Sequence, residues 1–215
     1  MREMMIEKTG EIHNKIKKMS ELASKSIEKA MKAFVDQDEE MARDVIAKDK
    51  EINSCEQDIE NLCVTFAATQ SPVASDLRRF MTVLRVVTDL ERVGDYSCNI
   101  AQIVIDLGKY DLIKPIVDLK IMEDKVKDML RDSLKAYFDQ DVSLAYETAK
   151  KDEDVDDLYE KMYRELLSYM KTTDNAEDQI IGLILVGRYL ERIADHATNI
   201  CERLIFMETG NSVKF

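Results

Sequence analysis

The stretch Asp89–Ala101, DLERVGDYSCNIA, returns one hundred residues later as YLERIADHATNIC, Tyr189–Cys201. Leu90, Glu91, Arg92, Asp95, Asn99 and Ile100 keep register with Leu190, Glu191, Arg192, Asp195, Asn199 and Ile200. The likeness continues upstream, where MKAFVDQD from Met31 aligns with LKAYFDQD from Leu134 at an offset of 103. A chain of 215 residues that repeats itself in this way is expected to fold as two like halves side by side. The shrinking offset implies that the second copy has lost three residues in the loop between its second and third helices.

The pattern inside each half is helical. Ile12, Ile16, Met19, Leu22, Ala23, Ile27, Ala30, Met31 and Phe34 fall at spacings of three and four, which specifies an amphipathic helix from about Met4 to Phe34. Asp36-Gln37-Asp38 breaks it, and Asp38 can cap a second helix that turns Met41, Val45, Ile52, Cys55, Ile59, Leu62 and Phe66 inward. Ser71 as cap and Pro72 at the first helical position start a third, which should run to Leu107 before Gly108 ends it. The plan then repeats, with Asp139-Gln140-Asp141 as the break. Asp174 and Glu177 form a capping box for a sixth helix that fades near Gly210. Only 6 Gly and 2 Pro occur, too few punctuators for a strand-and-turn protein. The expected fold is therefore all-α: two tandem antiparallel three-helix bundles, six helices of roughly 25 to 35 residues. We divide it as 1–108, a linker at 109–114, and 115–215.

A net charge of −12 argues against a nucleic-acid binder, whose affinity comes from clustered Lys and Arg, and suits cations or basic patches on other proteins. Cys55, Cys63, Cys98 and Cys201 form no C-x-x-C pair and read as reduced core residues. The N-terminal stretch has no apolar signal core, and the run IIGLILVG before Arg188 falls short of the roughly 18 residues that span a bilayer. A cytoplasmic protein without direct membrane insertion is the expectation.

On a helix, Glu91 and Asp95 lie on neighbouring turns of one face, flanking the apolar side that holds Val86, Val87, Val93 and Ala101. Two carboxylates about 5.5 Å apart repel by on the order of 3 kcal/mol at an effective dielectric of about 20, so a half-buried pair calls for a positive partner. A hard cation wants about six oxygens. The second helix offers Asp49 and Asn53, followed by Glu56 and Glu60; at the aligned places in the second half stand Asp152 and Asp156, facing Glu191 and Asp195. Such all-oxygen donors favour Mg, Ca, Mn or Fe over Zn or Cu. His196 follows Asp195 and points about 100° away on the helix, as a packing or surface residue rather than a ligand. The competing reading is a solvated edge in which Arg92 pairs with Asp95, and Arg188 and Arg192 with Glu191 and Asp195.

The strings PVASDLRRF (Pro72–Phe80), DLERVGDYSCNIA and YLERIADHATNICE, set in two tandem three-helix units, resemble the PhoU family of phosphate-signalling regulators over essentially the whole chain. That resemblance implies a cytoplasmic, dimeric regulator rather than an enzyme, with E(D)-x-x-x-D motifs that hold metal ions. By position these motifs are Glu91 with Asp95, Glu191 with Asp195, and Asp152 with Asp156, completed by Asp49 and Asn53. It further implies divalent Fe, Mn or Mg as cofactor. The implied partners are the ATPase subunit of a phosphate-specific ABC transporter and the sensor histidine kinase of the Pho system, with the response held off when phosphate is plentiful. The first half departs from the motif at Asn53, a neutral donor, and the second half lacks the SPVASDLR string. Two alternatives remain: a ferritin-like di-iron oxidase, which needs a histidine three residues after a Glu that neither Glu91 nor Glu191 has, and a metal-free helical adaptor.

Overall fold

The two Asp-Gln-Asp breaks are built alike. Gln37 (φ 50) and Gln140 (φ 55) both take the left-handed conformation that stops a helix. The next residue in each case caps the following helix: Asp38 Oδ1 accepts from the Met41 N–H at 2.9 Å, and Asp141 Oδ1 from the Leu144 N–H at 3.0 Å. These turns send the chain back antiparallel to itself at the same point of each repeat.

The computed structural model describes residues 2–70, 73–110, 113, 116–170 and 176–215. Its elements are α1 (Arg2–Asp36), α2 (Glu39–Gln70), α3 (Ala74–Leu107), α4 (Val117–Asp139), α5 (Val142–Ala149), α6 (Asp152–Tyr169) and α7 (Glu177–Thr209), with no strand among the described residues. Helices α1, α2 and α3 pack on one another as one bundle, and α4, α5 with α6, and α7 as the second. Gly108 ends α3 at φ 61, and Gly210 ends α7 at φ 76.

Three expectations are revised. The fifth rod is interrupted, because the Lys151 N–H bonds to Thr148 O at 3.0 Å, a three-residue closure that tightens the chain between α5 and α6. Helix α4, at 23 residues, is shorter than the 25 to 35 foreseen. Ala176, without a side-chain cap, precedes α7; the proposed cap Asp174 lies outside the described residues. So do Ser71 and Pro72, residues 111, 112 and 114 of the linker, and the loop at 171–175 between α6 and α7. Val73, extended at φ −77 and ψ 169, opens α3.

The apolar stripes read from the sequence are the core. Ile16, Met19, Ile27, Met31 and Ile59 in the first bundle, and Met122, Met129, Leu130 and Met162 in the second, are fully buried. Each such side chain contributes about 1.5–3 kcal/mol relative to exposure. One cluster runs unbroken through both bundles, while Ala136, Ala145, Ala149, Cys201, Leu204 and Ile205 form a small separate one where α5 meets α4 and α7. Continuity comes from the seam between α3 and α7, the most extensive helix pairing among the described residues. Its contacts, Asp89 with His196 and Tyr96 with Tyr189, show the two helices running antiparallel. Among the described residues no helix is long and apolar enough to cross a membrane.

Candidate functional site

Because α3 and α7 are wedged between bundle core and seam, their acidic motifs emerge on the remaining flank, against the second rod of each bundle. In the first half, the Asp49 carboxylate of α2 lies against Gly94: a Cβ built there would stand 3.1 Å from Asp49 Oδ1 and 2.9 Å from Ile52 Cδ1. The missing side chain lets α2 and α3 close on each other at the motif. The Asn53 side-chain amide donates to Asp49 Oδ2 at 2.8 Å, and the Thr88 hydroxyl to Glu56 Oε1 at 3.3 Å. Arg92 donates to Asp95 Oδ2 at 2.8 Å and lies 3.4 Å from Glu91 Oε2. Burial, and then the Asp95 charge, lift the Glu91 carboxyl above its ordinary range, with Glu56 and Asp49 adding to the push. Glu56 is raised as well, by burial and then by Glu60. Glu60 itself is exposed.

The second half repeats the ledge with one more acid. Arg188 Nη1 donates to Glu191 Oε1 at 2.6 Å, and Arg192 Nη1 to Asp195 Oδ2 at 2.9 Å. Glu191 is only 8% exposed. Asp156 stands where the first half has Asn53, so Asp152 has no amide to accept from. Burial, followed by the charges of Asp195 and Asp156, pushes the Asp152 carboxyl up to about 7; the nearby Thr198 hydroxyl offsets this only in part and is not seated in hydrogen-bond geometry. Asp156, more open to solvent, is raised too, by burial first and Asp195 next. The arginine pairs of the competing reading are thus all present.

Those pairs leave the ledges unsatisfied. Asp49 Oδ1 and Asn53 Oδ1 in the first, and Asp152 Oδ1 and Glu191 Oε2 in the second, are buried oxygens without a hydrogen-bond donor. Buried acceptors without a donor cost about 1–3 kcal/mol each. One arginine faces Asp49, Glu56, Glu91 and Asp95, and two face Asp152, Asp156, Glu191 and Asp195. The donor set therefore suits a hard cation. As the side chains stand, no three His, Cys, Asp or Glu among the described residues converge on one point. Ligation requires the arginines to give way, and Arg92 and Arg192, with side chains 52% and 43% exposed, have the room to do so.

Sequence reasoning missed a polar cluster on the seam itself. Asp89, 5% exposed, accepts from His196 Nδ1 at 2.9 Å, and its Oδ2 lies 3.5 Å from Arg203 Nε, outside hydrogen-bond geometry. His196 is indeed a packing residue, lying 5.7 Å from the Tyr96 ring, but its partner was not foreseen. An acid in line with Val86, Val87, Leu90 and Val93 was the available signal. The four cysteines are free, and burial pushes the thiols of Cys63, Cys98 and Cys201 up to about 11, 12 and 12. Cys98 is half-buried beside Asp49 rather than in the core.

Taken together, the fold and the site define a tandem three-helix-bundle protein that presents an acidic Glu-x-x-x-Asp ledge on each bundle. The family model for the PhoU domain matches the chain twice, over residues 16–104 and 119–204. The chain belongs to the PhoU family. It is 40% identical to the phosphate-specific transport system accessory protein PhoU homolog of Clostridium acetobutylicum, over 94% of this chain and 93% of that one. It is 37% identical to the Aquifex aeolicus homolog of the same name, over 95% and 92%. The crystal structure of PhoU from Pseudomonas aeruginosa superposes with a TM-score of 0.91 at 32% identity, covering 95% of this chain and 98% of that one. The phosphate transport system regulatory protein PhoU from Streptococcus pneumoniae does so at 0.89 and 32%, covering 96% and 97%.

Proposed function

We propose that this chain is a cytoplasmic, non-enzymatic regulator of phosphate homeostasis, an accessory protein of a phosphate-specific transport system that restrains phosphate uptake and the Pho response. On this reading it works as a homodimer between the ATPase subunit of the ABC transporter and the Pho sensor histidine kinase, and binds divalent Fe, Mn or Mg. Membership in a family whose relatives are named as accessory proteins of that system supports the regulatory part. The observation that carries the metal part is the buried, donorless oxygens found on both ledges, on Asp49 and Asn53 in the first and on Asp152 and Glu191 in the second, with Asp49 and Asp152 at equivalent places in the repeat. Asp49, Asn53, Glu91 and Asp95 would hold an ion in the first bundle, and Asp152, Asp156, Glu191 and Asp195 in the second. A bound cation would supply the positive charge that these ledges lack.

The arginines are the chain's own means of answering that charge. Arg92, Arg188 and Arg192 hold the carboxylates in place when no ion is bound and free them by swinging to solvent. The test is a titration of chelator-stripped protein with Mn, Fe and Mg, followed by the Asp95→Ala, Asp195→Ala double variant. The double variant should lose binding; unchanged binding would remove the ledges from the function. Co-purification from cells tests the partners: the transporter ATPase or the sensor kinase should come down with the full chain.

A second reading has its own support. The three arginine pairs, at 2.6 to 2.9 Å, already neutralise part of each ledge, as a metal-free helical adaptor would require. It predicts no saturable binding of any of the three metals, together with intact partner recovery.

A further inference from the structure

In a chain with 43 acidic residues against 31 basic ones, arginines without an acidic partner stand out. Arg78 and Arg85, two turns apart on α3, have no ion pair among the described residues. Both line a cavity of about 540 Å³ between the start of α3 and the end of α7, with Arg203 contributing a third guanidinium from α7. Its remaining wall is largely apolar: Leu77, Met81, Phe206 and Val213. Leu77 and Met81 are 47% and 46% exposed, an unusual investment of apolar surface beside cations.

The walls are arranged rather than incidental. Arg203 Nε is buried without a hydrogen-bond partner, 3.5 Å from Asp89 Oδ2. Glu202, the one acid on the lining, is taken up by the Phe215 N–H at 3.1 Å. Gly210 gives Arg78 its seat: a Cβ there would stand 2.7 Å from Arg78 Nη1, so a side chain would push the guanidinium away. The repeat does not explain the cluster either, since one hundred residues after Arg78 and Arg85 stand Asp178 and Leu185. The cavity therefore belongs to one place on the molecule, apart from both acidic ledges.

We propose that this cavity binds a small organic phosphate. Its phosphate group would lie among Arg78, Arg85 and Arg203, and its apolar or planar body against Leu77, Met81, Phe206 and Val213. The volume falls within the roughly 300–1,000 Å³ of small-molecule sites lined by apolar groups with a few oriented polar ones. A phosphate monoester carries about −1.5 to −2 charge at pH 7, which answers several guanidinium groups better than one carboxylate does. The ledges, being anionic, repel the same ligand, so the two kinds of site would not compete.

Calorimetric titration of the full-length chain tests this, with adenosine monophosphate as probe, inorganic phosphate as the head-only arm and adenosine as the body-only arm. The monophosphate should bind saturably and at least tenfold more tightly than either part. Binding should weaken at least tenfold in Arg78→Ala and in Arg85→Ala, whose side chains are not needed for the core, and in high salt. Lys32→Ala, exposed on α1 and outside the cavity lining, should bind like the parent. Absence of saturable binding at millimolar monophosphate would overturn the proposal, as would undiminished binding in both arginine variants. Binding to phosphatidic acid vesicles without binding of the monophosphate would overturn it too, by assigning the patch to a lipid surface.

Discussion

Asp89 and His196, 2.9 Å apart across the α3–α7 seam, occupy the places that Tyr189 and Tyr96 occupy on its other side, where the two rings stack at 5.8 Å. Position 89 repeats as 189 and position 96 as 196, so the seam has the self-complementary form of a two-fold interface made within one chain. One of its two equivalent contacts is charged and the other aromatic. Asp89→Ala removes the acceptor facing both His196 and Arg203 and is expected to cost about 1–3 kcal/mol, the penalty of stranding buried donors. Urea unfolding should show a lower midpoint at unchanged slope, and Asp89→Asn a smaller loss.

The ledges differ at one atom pair. Asn53 gives Asp49 an amide donor, whereas Asp156 gives Asp152 a second negative charge. If the ledges hold ions, the second binds more tightly. Asn53→Asp should then tighten Mn binding severalfold at the first, measured in an Asp195→Ala background that silences the other. A weaker or unchanged first ledge would count against direct ligation by residue 53.

Metal-free protein should lose stability as pH rises. Asp152 binds its proton more tightly folded, near 7, than at its ordinary value of 3.8, so the stabilisation it lends is fully present below about pH 4 and disappears as pH climbs through 7. Glu91, Glu191, Asp156 and Glu56, all raised, act in the same direction. Asp132, lowered despite its burial by Lys151 and Arg131, works oppositely and only on the acid side. Thermal melts of chelator-treated protein between pH 4.5 and 8 should fall toward the alkaline end, and Asp152→Asn should flatten the profile.

The two left-handed glutamines should answer differently to glycine. Gln37 clamps Tyr110 with both ends of its amide, donating to the carbonyl at 2.9 Å and accepting from the N–H at 3.2 Å. Gln140 makes no such bonds among the described residues. Glycine relieves roughly 1 kcal/mol of strain at either place. Gln140→Gly should therefore stabilise, while Gln37→Gly should be neutral or destabilising, by about 1 kcal/mol for each lost bond. Chemical denaturation of the pair decides it.

The rods, their breaks at Gln37 and Gln140, and the end of α3 at Gly108 were legible because each is a local matter of apolar spacing, capping and backbone handedness. The acids beside the motifs were legible because duplication set Asp49 and Asp152 at corresponding places. What stayed hidden depends on which helices meet. Nothing near Asp89 in the chain announces His196 or Arg203, and the cavity holding Arg78 exists only because the end of α7 returns to the start of α3. The split between α5 and α6 was likewise invisible, since Lys150 and Lys151 keep near-helical angles and only one hydrogen bond shortens.

Helices α3 and α7 each carry an anionic shelf on one flank and the shared joint on the other, with core packed behind. The joint therefore sits next to both shelves: Asp89 is two residues from Glu91, and its partner His196 directly follows Asp195.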